Sequence, residues 1–281
     1  MTSQLTRNPL FTDFSLVMGW NTVADLARAG TAVPPGTRVL LGFTDTADVP
    51  KLVAAVRTVK SLGFAPEPVI AARRLASAEM LRDYLAGVRD AGPVESALVV
   101  GGDLEQARGP YPDATSVISS GLLEEYGVRE VSLAGHPGGH PAAADDVMWQ
   151  ALAAKIAMLA DRGLDASITT QFGFDPAVVL TWLASLRARG ITVPARVDVA
   201  GPASARELLR IAARCGVSVS PDAARQYYGF SVIDPDGEAG PQRFLRALAD
   251  GYDPRLHGEV TLRFETFGGV PALAECLRSL S

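Results

Sequence analysis

The sequence contains only two cysteines and three histidines among its 281 residues. The cysteines, Cys215 and Cys276, do not have the short spacing of a metal-binding or redox motif. We therefore predict no metal site, and we interpret both cysteines as buried, reduced thiols of a cytoplasmic protein.

Long apolar runs and an excess of basic residues are also absent. No run reaches the roughly 18 apolar residues that can span a membrane, and the N-terminal stretch lacks the apolar core of a signal peptide. Lys and Arg total 26 against 31 Asp and Glu, and the net charge is −5. These absences argue against a membrane or nucleic-acid partner, and they leave open whether the chain forms a homo-oligomer.

Short runs rich in β-branched residues alternate with longer stretches of helical periodicity. The predicted strands are Phe14–Met18, Arg38–Phe43, Glu67–Ala71, Ser96–Val100, Glu130–Ala134, Ala166–Thr170, Ala195–Val199 and Val260–Phe267. The predicted helices are Thr22–Ala29, Val49–Leu62, Ala78–Ala91, Ser116–Glu125, Ala143–Arg162, Pro176–Ala188 and Ala203–Arg214.

Glycine follows several of the helical stretches, where a helix commonly ends in the left-handed conformation. The repeated order of helix, glycine and strand is typical of βαβ units in a parallel sheet. Eight such strands favour an α/β fold of the closed (β/α)8 barrel type, in one domain over residues 1–281. The long stretch from Pro221 to His257 predicts an elaborated connection before the last strand.

In a barrel of this type, active sites are built at the C-terminal ends of the strands. The sixth predicted strand ends at Gln171 and Phe172, and Asp175 is then placed to cap a helix. The fourth strand ends in Gly102 and Asp103. Glycine there allows a ligand to approach the backbone closely, although this feature alone favours a turn with a capping aspartate.

Other strand ends carry polar groups with two interpretations each. His136 and His140 lie in a loop rich in Gly and Pro after the fifth strand, which suits a planar polar ligand or a solvated loop. Thr44, after the second strand, could contact a phosphate or ring carbonyl, or cap the next helix. Arg73 follows the third strand, where it could bind an anion or remain a surface residue. No glycine-rich nucleotide fingerprint or P-loop is present.

Taken in order, these strand ends resemble those of the methylenetetrahydrofolate reductase family. Its motifs are an R-G-D-type turn after strand four, a Y-P-E-x-H-P loop after strand five and an I-T-Q-F-F-F-D end to strand six. The matching segments here are Gly101–Asp103, His136–Pro141 and Ile168–Asp175. The resemblance extends roughly from Arg38 to the C-terminus.

The resemblance implies a (β/α)8 barrel that moves hydride from NAD(P)H through FAD to a folate substrate. It places Thr44, Asp103, His136 and His140 along the flavin and makes Lys155 the candidate contact to the FAD phosphates. Gly102 and Arg73, whose residue types suit close approach and an anionic group, complete the predicted cofactor site. The resemblance places Gln171, Phe172 and Glu265 near the folate, and it makes Asp103 and Gln171 the candidate catalytic residues.

The first strand departs from the family pattern. The family carries a glutamate there, the acid that helps to open the methylene bridge, and aligning Thr22 puts Leu16 at its position. Asp13, Glu265 or a water held by Asp103 could replace that acid. Three functions are therefore open: an FAD-dependent reductase, a flavin-free enzyme that uses NADH directly, and a non-catalytic folate-binding barrel.

Overall fold

The computed structural model of the protein describes residues 9–11, 13–42, 49–140, 143–230, 234 and 236–280. Its strands are β1 (Phe14–Gly19), β2 (Arg38–Gly42), β3 (Ala65–Ala71), β4 (Ser96–Val100), β5 (Glu130–Gly135), β6 (Asp165–Thr170), β7 (Ala195–Val199), β8 (Ala203–Ser204), β9 (Glu238–Ala239) and β10 (Val260–Glu265). All except β8 and β9 form a closed parallel barrel, in which β10 pairs with both β7 and β1. The predicted (β/α)8 fold is confirmed.

Helices connect the strands and cover the barrel. They are α1 (Val49–Ser61), α2 (Ala78–Asp90), α3 (Ala114–Ser119), α4 (Leu122–Glu125), α5 (Asp145–Asp161), α6 (Pro176–Ala188), α7 (Ala205–Arg214), α8 (Pro221–Ala223), α9 (Gln242–Gly251), α10 (Pro254–His257) and α11 (Val270–Leu280). The predicted start of α6 is confirmed, because the Asp175 carboxylate accepts a hydrogen bond from the Ala177 amide at 2.9 Å.

Two predicted helices differ from those observed. The stretch predicted as Thr22–Ala29 forms a 3-10 helix over Val23–Arg28. The helix predicted over Ser116–Glu125 is divided into α3 and α4 at Gly121, whose φ is 80°. A continuous right-handed helix cannot pass through that conformation. The helical periodicity of the sequence continues across Gly121, so it did not indicate the break.

The elaborated connection predicted before the last strand is confirmed. It carries α8, α9 and α10, and its β9 pairs with β8 in a small antiparallel sheet that the sequence pattern did not indicate. The pattern also missed α11, which follows the barrel's last strand.

The barrel interior is polar around Arg263, which is fully buried. Its guanidinium donates to the hydroxyls of Ser15 at 3.1 Å and Thr169 at 3.0 Å, and to the carboxylate of Glu67 at 2.5 Å. These partners belong to β1, β6 and β3, so the Arg263 side chain crosses the inside of the barrel. A buried charge of this kind is tolerated only when it is paired and hydrogen-bonded.

A second ionic network lies nearer the N-terminal ends of the strands. Glu130 accepts from Arg38 at 2.9 Å and from Arg196 at 2.7 Å, and the Ser167 hydroxyl donates to it at 2.7 Å. Burial raises the pKa of Glu130, but the charges of Arg196 and Arg38 outweigh burial and hold that pKa at about 2. The carboxylate is therefore ionised at every pH at which proteins are normally stable.

Replacing Glu130 with Gln should remove part of the protein's acid sensitivity. A carboxyl with a lowered pKa stabilises the fold above its ordinary pKa of 4.5, and that contribution is lost as pH falls towards about 2. Over this pH range, the free energy of unfolding of the wild type should therefore fall by on the order of 2 kcal/mol more than that of the variant. Urea unfolding at pH 7 and pH 3 measures the difference. Glu95→Gln, at an exposed pair with Arg129, is the control, and an equal loss in wild type and Glu130→Gln would contradict the prediction.

Candidate functional site

The residues predicted at the strand ends lie at one end of the barrel, because the barrel strands are parallel. Arg73 follows β3, Asp103 follows β4, His136 follows β5, Gln171 follows β6, and Glu265 ends β10. Lys155 comes from α5 and Thr44 is outside the described residues. The topology therefore brings most of the predicted site to one rim.

Gln171 connects the end of β6 to the end of α7. Its backbone amide donates to the carbonyl of Gly135 at 2.7 Å, and its side-chain Nε2 donates to the carbonyl of Cys215 at 2.7 Å. Cys215 is exposed, which corrects the prediction of a buried thiol: it is the residue at which α7 ends, so no further turn covers it. Cys276 is buried as predicted.

The Phe172 ring is buried, with 5% of the residue exposed. It packs edge-to-face against Phe174 at 6.0 Å and against Phe267 at 5.3 Å. The Phe172 ring, which the resemblance places near the folate, is therefore largely covered by aromatic neighbours. Its contact with Phe267 ties the loop after β6 to the loop after β10.

Asp103 forms an ion pair at the rim. Both of its carboxylate oxygens accept from the Arg74 guanidinium, at 2.8 and 2.7 Å. These hydrogen bonds outweigh burial and lower the pKa of Asp103, so the group stays ionised while Arg74 offsets its charge. Arg73 donates to the carbonyls of Leu104 and Pro112, so it holds the loop that follows β4.

His136, His140 and Lys155 line a groove of about 630 Å³ between α5 and α6. The two imidazole rings meet edge-to-face at 4.9 Å. Burial, with the neighbouring charges of His140 and Lys155, lowers the pKa of His136 to about 4, so this histidine is neutral at pH 7. Burial also lowers the pKa of Lys155, and the Asp113 charge opposes that effect.

Aromatic and acidic side chains complete this groove. Trp149 and Trp182 stack at 5.3 Å, and the Arg189 guanidinium lies 4.5 Å above the Trp149 ring. Asp145 and Asp146 also line the groove, so acidic and basic side chains are mixed along it.

A neighbouring cavity of about 500 Å³ contains Gln171. It is bounded by the loops after β5 and β6 and by the segment after α7, and its lining includes Phe172, Gly138 and Ser218. Pro137 and Gly139 line this cavity and the α5–α6 groove alike, so the two spaces adjoin across the histidine loop.

Glu265 is half-buried at the end of β10, next to a carboxylate that sequence reasoning missed. Asp198, in β7, is 6% exposed; its Oδ1 lies 3.9 Å from Arg263 Nε and has no hydrogen-bond partner among the described residues. Burial raises the pKa of Asp198, and burial likewise raises the pKa of Glu265 to about 7. Two charged residues, Arg196 and Asp198, alternate with apolar residues in β7, and this alternation was the signal that could have revealed Asp198.

The residues expected to hold FAD separate into two groups. Arg73, Gly102 and Asp103 do not line the groove that contains His136, His140 and Lys155. A flavin pyrophosphate needs cations or open backbone amides. In the groove, Lys155 faces the charge of Asp113, while at the rim Arg73 donates to loop carbonyls. The described residues that the resemblance assigns to FAD therefore do not come together in one site.

The described residues contain no group of three or more His, Cys, Asp or Glu side chains that could hold a metal ion. Over the same residues, no helix is both long and apolar enough to cross a membrane.

No protein-family model matches the chain. Among solved structures, it is similar to an uncharacterized protein from Clostridium thermocellum that binds two copies of 5-methyl-5,6,7,8-tetrahydrofolic acid. The TM-score is 0.61 and the identity 8%, over 96% of each chain. It is also similar to dihydropteroate synthase from Thermus thermophilus, with a TM-score of 0.52 and 16% identity, over 95% of this chain and 92% of that one.

The chain has a TIM-barrel fold. At these identities the comparisons show the fold alone, and neither of these structures is a methylenetetrahydrofolate reductase. The reductase assignment continues to rest on the strand-end motifs.

Proposed function

We propose that the protein is an oxidoreductase of the methylenetetrahydrofolate reductase type, which binds a reduced folate at the rim formed by β6, β7 and β10. The observation that supports this most is the placement of the Gln171 amide and the Glu265 carboxyl at that rim. The loops that follow them are joined through the Phe172 and Phe267 rings, 5.3 Å apart.

These two groups suit a pterin. The edge of a pterin presents N–H donors beside a carbonyl oxygen, and an amide can donate and accept at once. Gln171 can therefore pair with that edge, while the carboxyl, when protonated, can donate its proton to another nitrogen of the folate. In the same fold, the Clostridium thermocellum protein binds a methylated tetrahydrofolate, which is compatible with this assignment.

The reaction requires one proton and one hydride in the reducing direction. The methylene bridge opens when N10 takes a proton and keeps the electrons of its bond to carbon, which leaves an iminium at N5. Hydride from NAD(P)H then adds to the iminium carbon and gives the N5-methyl group and NAD(P)⁺. Because the described residues that the resemblance assigns to FAD do not come together in one site, we propose that the nicotinamide delivers hydride directly.

A non-catalytic folate-binding barrel is the second candidate. It is favoured by β1 (Phe14–Gly19), which contains no carboxyl, whereas the family carries its acid on the first strand. It requires that folate bind without any hydride transfer.

An absorbance spectrum and a turnover assay distinguish these functions. We expect purified protein to show no flavin absorbance and to oxidise NADH or NADPH when methylenetetrahydrofolate is added under anaerobic conditions. A yellow protein that NADH bleaches would contradict direct transfer and support the FAD-dependent reductase. Folate binding by calorimetry without turnover in either direction would support the binding protein instead.

A further inference from the structure

The pairing register of β1 and β10 indicates which residue could supply the acid that the first strand lacks. The side chain of Ser15 accepts from Arg263 inside the barrel, so alternate residues of both strands face inward. Leu16 therefore points outward to the helices, and a glutamate there could not reach the barrel mouth. Val17 faces inward, and its partner in the ladder is Glu265.

Glu265 is thus the carboxyl that reaches the mouth next to the first strand. It stands two residues after Arg263 on the same face of β10, and Asp198 is the ladder partner of Arg263 on β7. Glu265 is only half-buried, so part of it is open to the rim. A ligand at the mouth can therefore touch it.

The local charge favours a retained proton. Three carboxyls, from Glu67, Asp198 and Glu265, lie near Arg263, and the Cys215 thiol is a further titratable group near Glu265. Glu67 forms a direct ion pair with Arg263, whereas Asp198 is 3.9 Å away. Burying two negative charges without matching cations costs free energy, and protonation of a carboxyl usually removes that cost.

We propose that Glu265 is the catalytic acid of the folate reaction. Glu265 donates its proton to N10 as the bond from N10 to the methylene carbon breaks, and hydride from NAD(P)H then reduces the iminium. In the oxidising direction the Glu265 carboxylate takes the proton from N10. This role rests on the proposed function, and it identifies the residue that supplies the proton for that reaction.

The test replaces Glu265 with Gln, which keeps the size and removes the proton. The maximal rate of NAD(P)H-dependent reduction should fall about 10²–10⁴-fold, the usual contribution of general acid catalysis, while folate affinity by calorimetry changes less than about tenfold. Burial raises the pKa of Glu265 to about 7, and the acid form is the active one. The wild-type rate should therefore fall as pH rises through about 7, and the residual rate of Glu265→Gln should not show that decline.

Two further variants make the result specific. Glu259→Gln makes the same chemical change in an exposed residue immediately before β10 and should leave the rate and its pH profile unaltered. Asp198→Asn removes the neighbouring buried carboxyl and leaves Glu265 in place, so the rate at low pH should be kept. Circular dichroism establishes whether each variant is folded. If Glu265→Gln is unfolded, Glu265→Asp replaces it in the test; this variant keeps the carboxyl and should retain part of the activity.

Wild-type turnover that persists in folded Glu265→Gln, with its pH dependence intact, would overturn the acid role and leave the proposed function standing. Wild-type protein that binds folate but transfers no hydride would overturn the proposed function and the acid role with it. A folded Asp198→Asn variant that loses as much rate as Glu265→Gln would overturn the assignment of the acid to Glu265.

Discussion

Arg263→Met should lower the free energy of unfolding by about 3–5 kcal/mol, the usual cost of removing one partner from a buried ion pair. Arg263 is fully buried, and its loss leaves the buried carboxyl of Glu67 and that of Asp198 without this cation. Three hydrogen bonds that tie β10 to β1, β6 and β3 would also be lost. Urea unfolding at pH 7 measures the change.

Two comparisons test the cause of that loss. Arg206→Met makes the same change at an exposed pair with Asp236 and should have little effect. A double variant, Arg263→Met with Glu67→Met, should recover much of the stability, because replacing both members of a buried pair with apolar residues is often neutral. A double variant as unstable as the single one would show that the ion pair is not the reason.

Gln171→Ala should weaken the binding of 5-methyltetrahydrofolate about tenfold or more. The substitution leaves polar groups of the bound pterin without a partner, which costs about 1–3 kcal/mol, and about 1.4 kcal/mol corresponds to a factor of ten in affinity. Calorimetry at fixed pH and ionic strength measures the dissociation constant.

The control is Gln226→Ala, the same truncation in an exposed residue outside the cavity that Gln171 lines. Because Nε2 of Gln171 also donates to the Cys215 carbonyl, thermal unfolding of Gln171→Ala establishes whether the end of α7 remains in place. Unchanged affinity in a folded variant would remove Gln171 from the site.

The barrel was predictable because its signals are local. Each βα unit carries its own β-branched run, helical periodicity and terminal glycine, and these depend on neighbours within a few residues. The capping of α6 by Asp175 was predictable for the same reason. The break at Gly121 was not, because glycine is compatible with a helix until its φ is known.

The site was predictable only in part. Gln171, Asp103 and His136 were placed at the correct ends of their strands, since strand ends follow from the pattern. Whether each side chain is available to a ligand was not predictable: Arg74 pairs with Asp103, and Phe267 covers Phe172. Thr44 is outside the described residues and stays a prediction.

By itself, the sequence determined that the chain forms a (β/α)8 barrel and which residues lie at its rim. Only the tertiary structure decided which of those residues are already paired and which carboxyls share a cation. The physical reason is distance along the chain: Arg263 meets Glu67 across 196 positions and Ser15 across 248. Such pairs exist only once the barrel has closed, and their charges then decide where a proton is held.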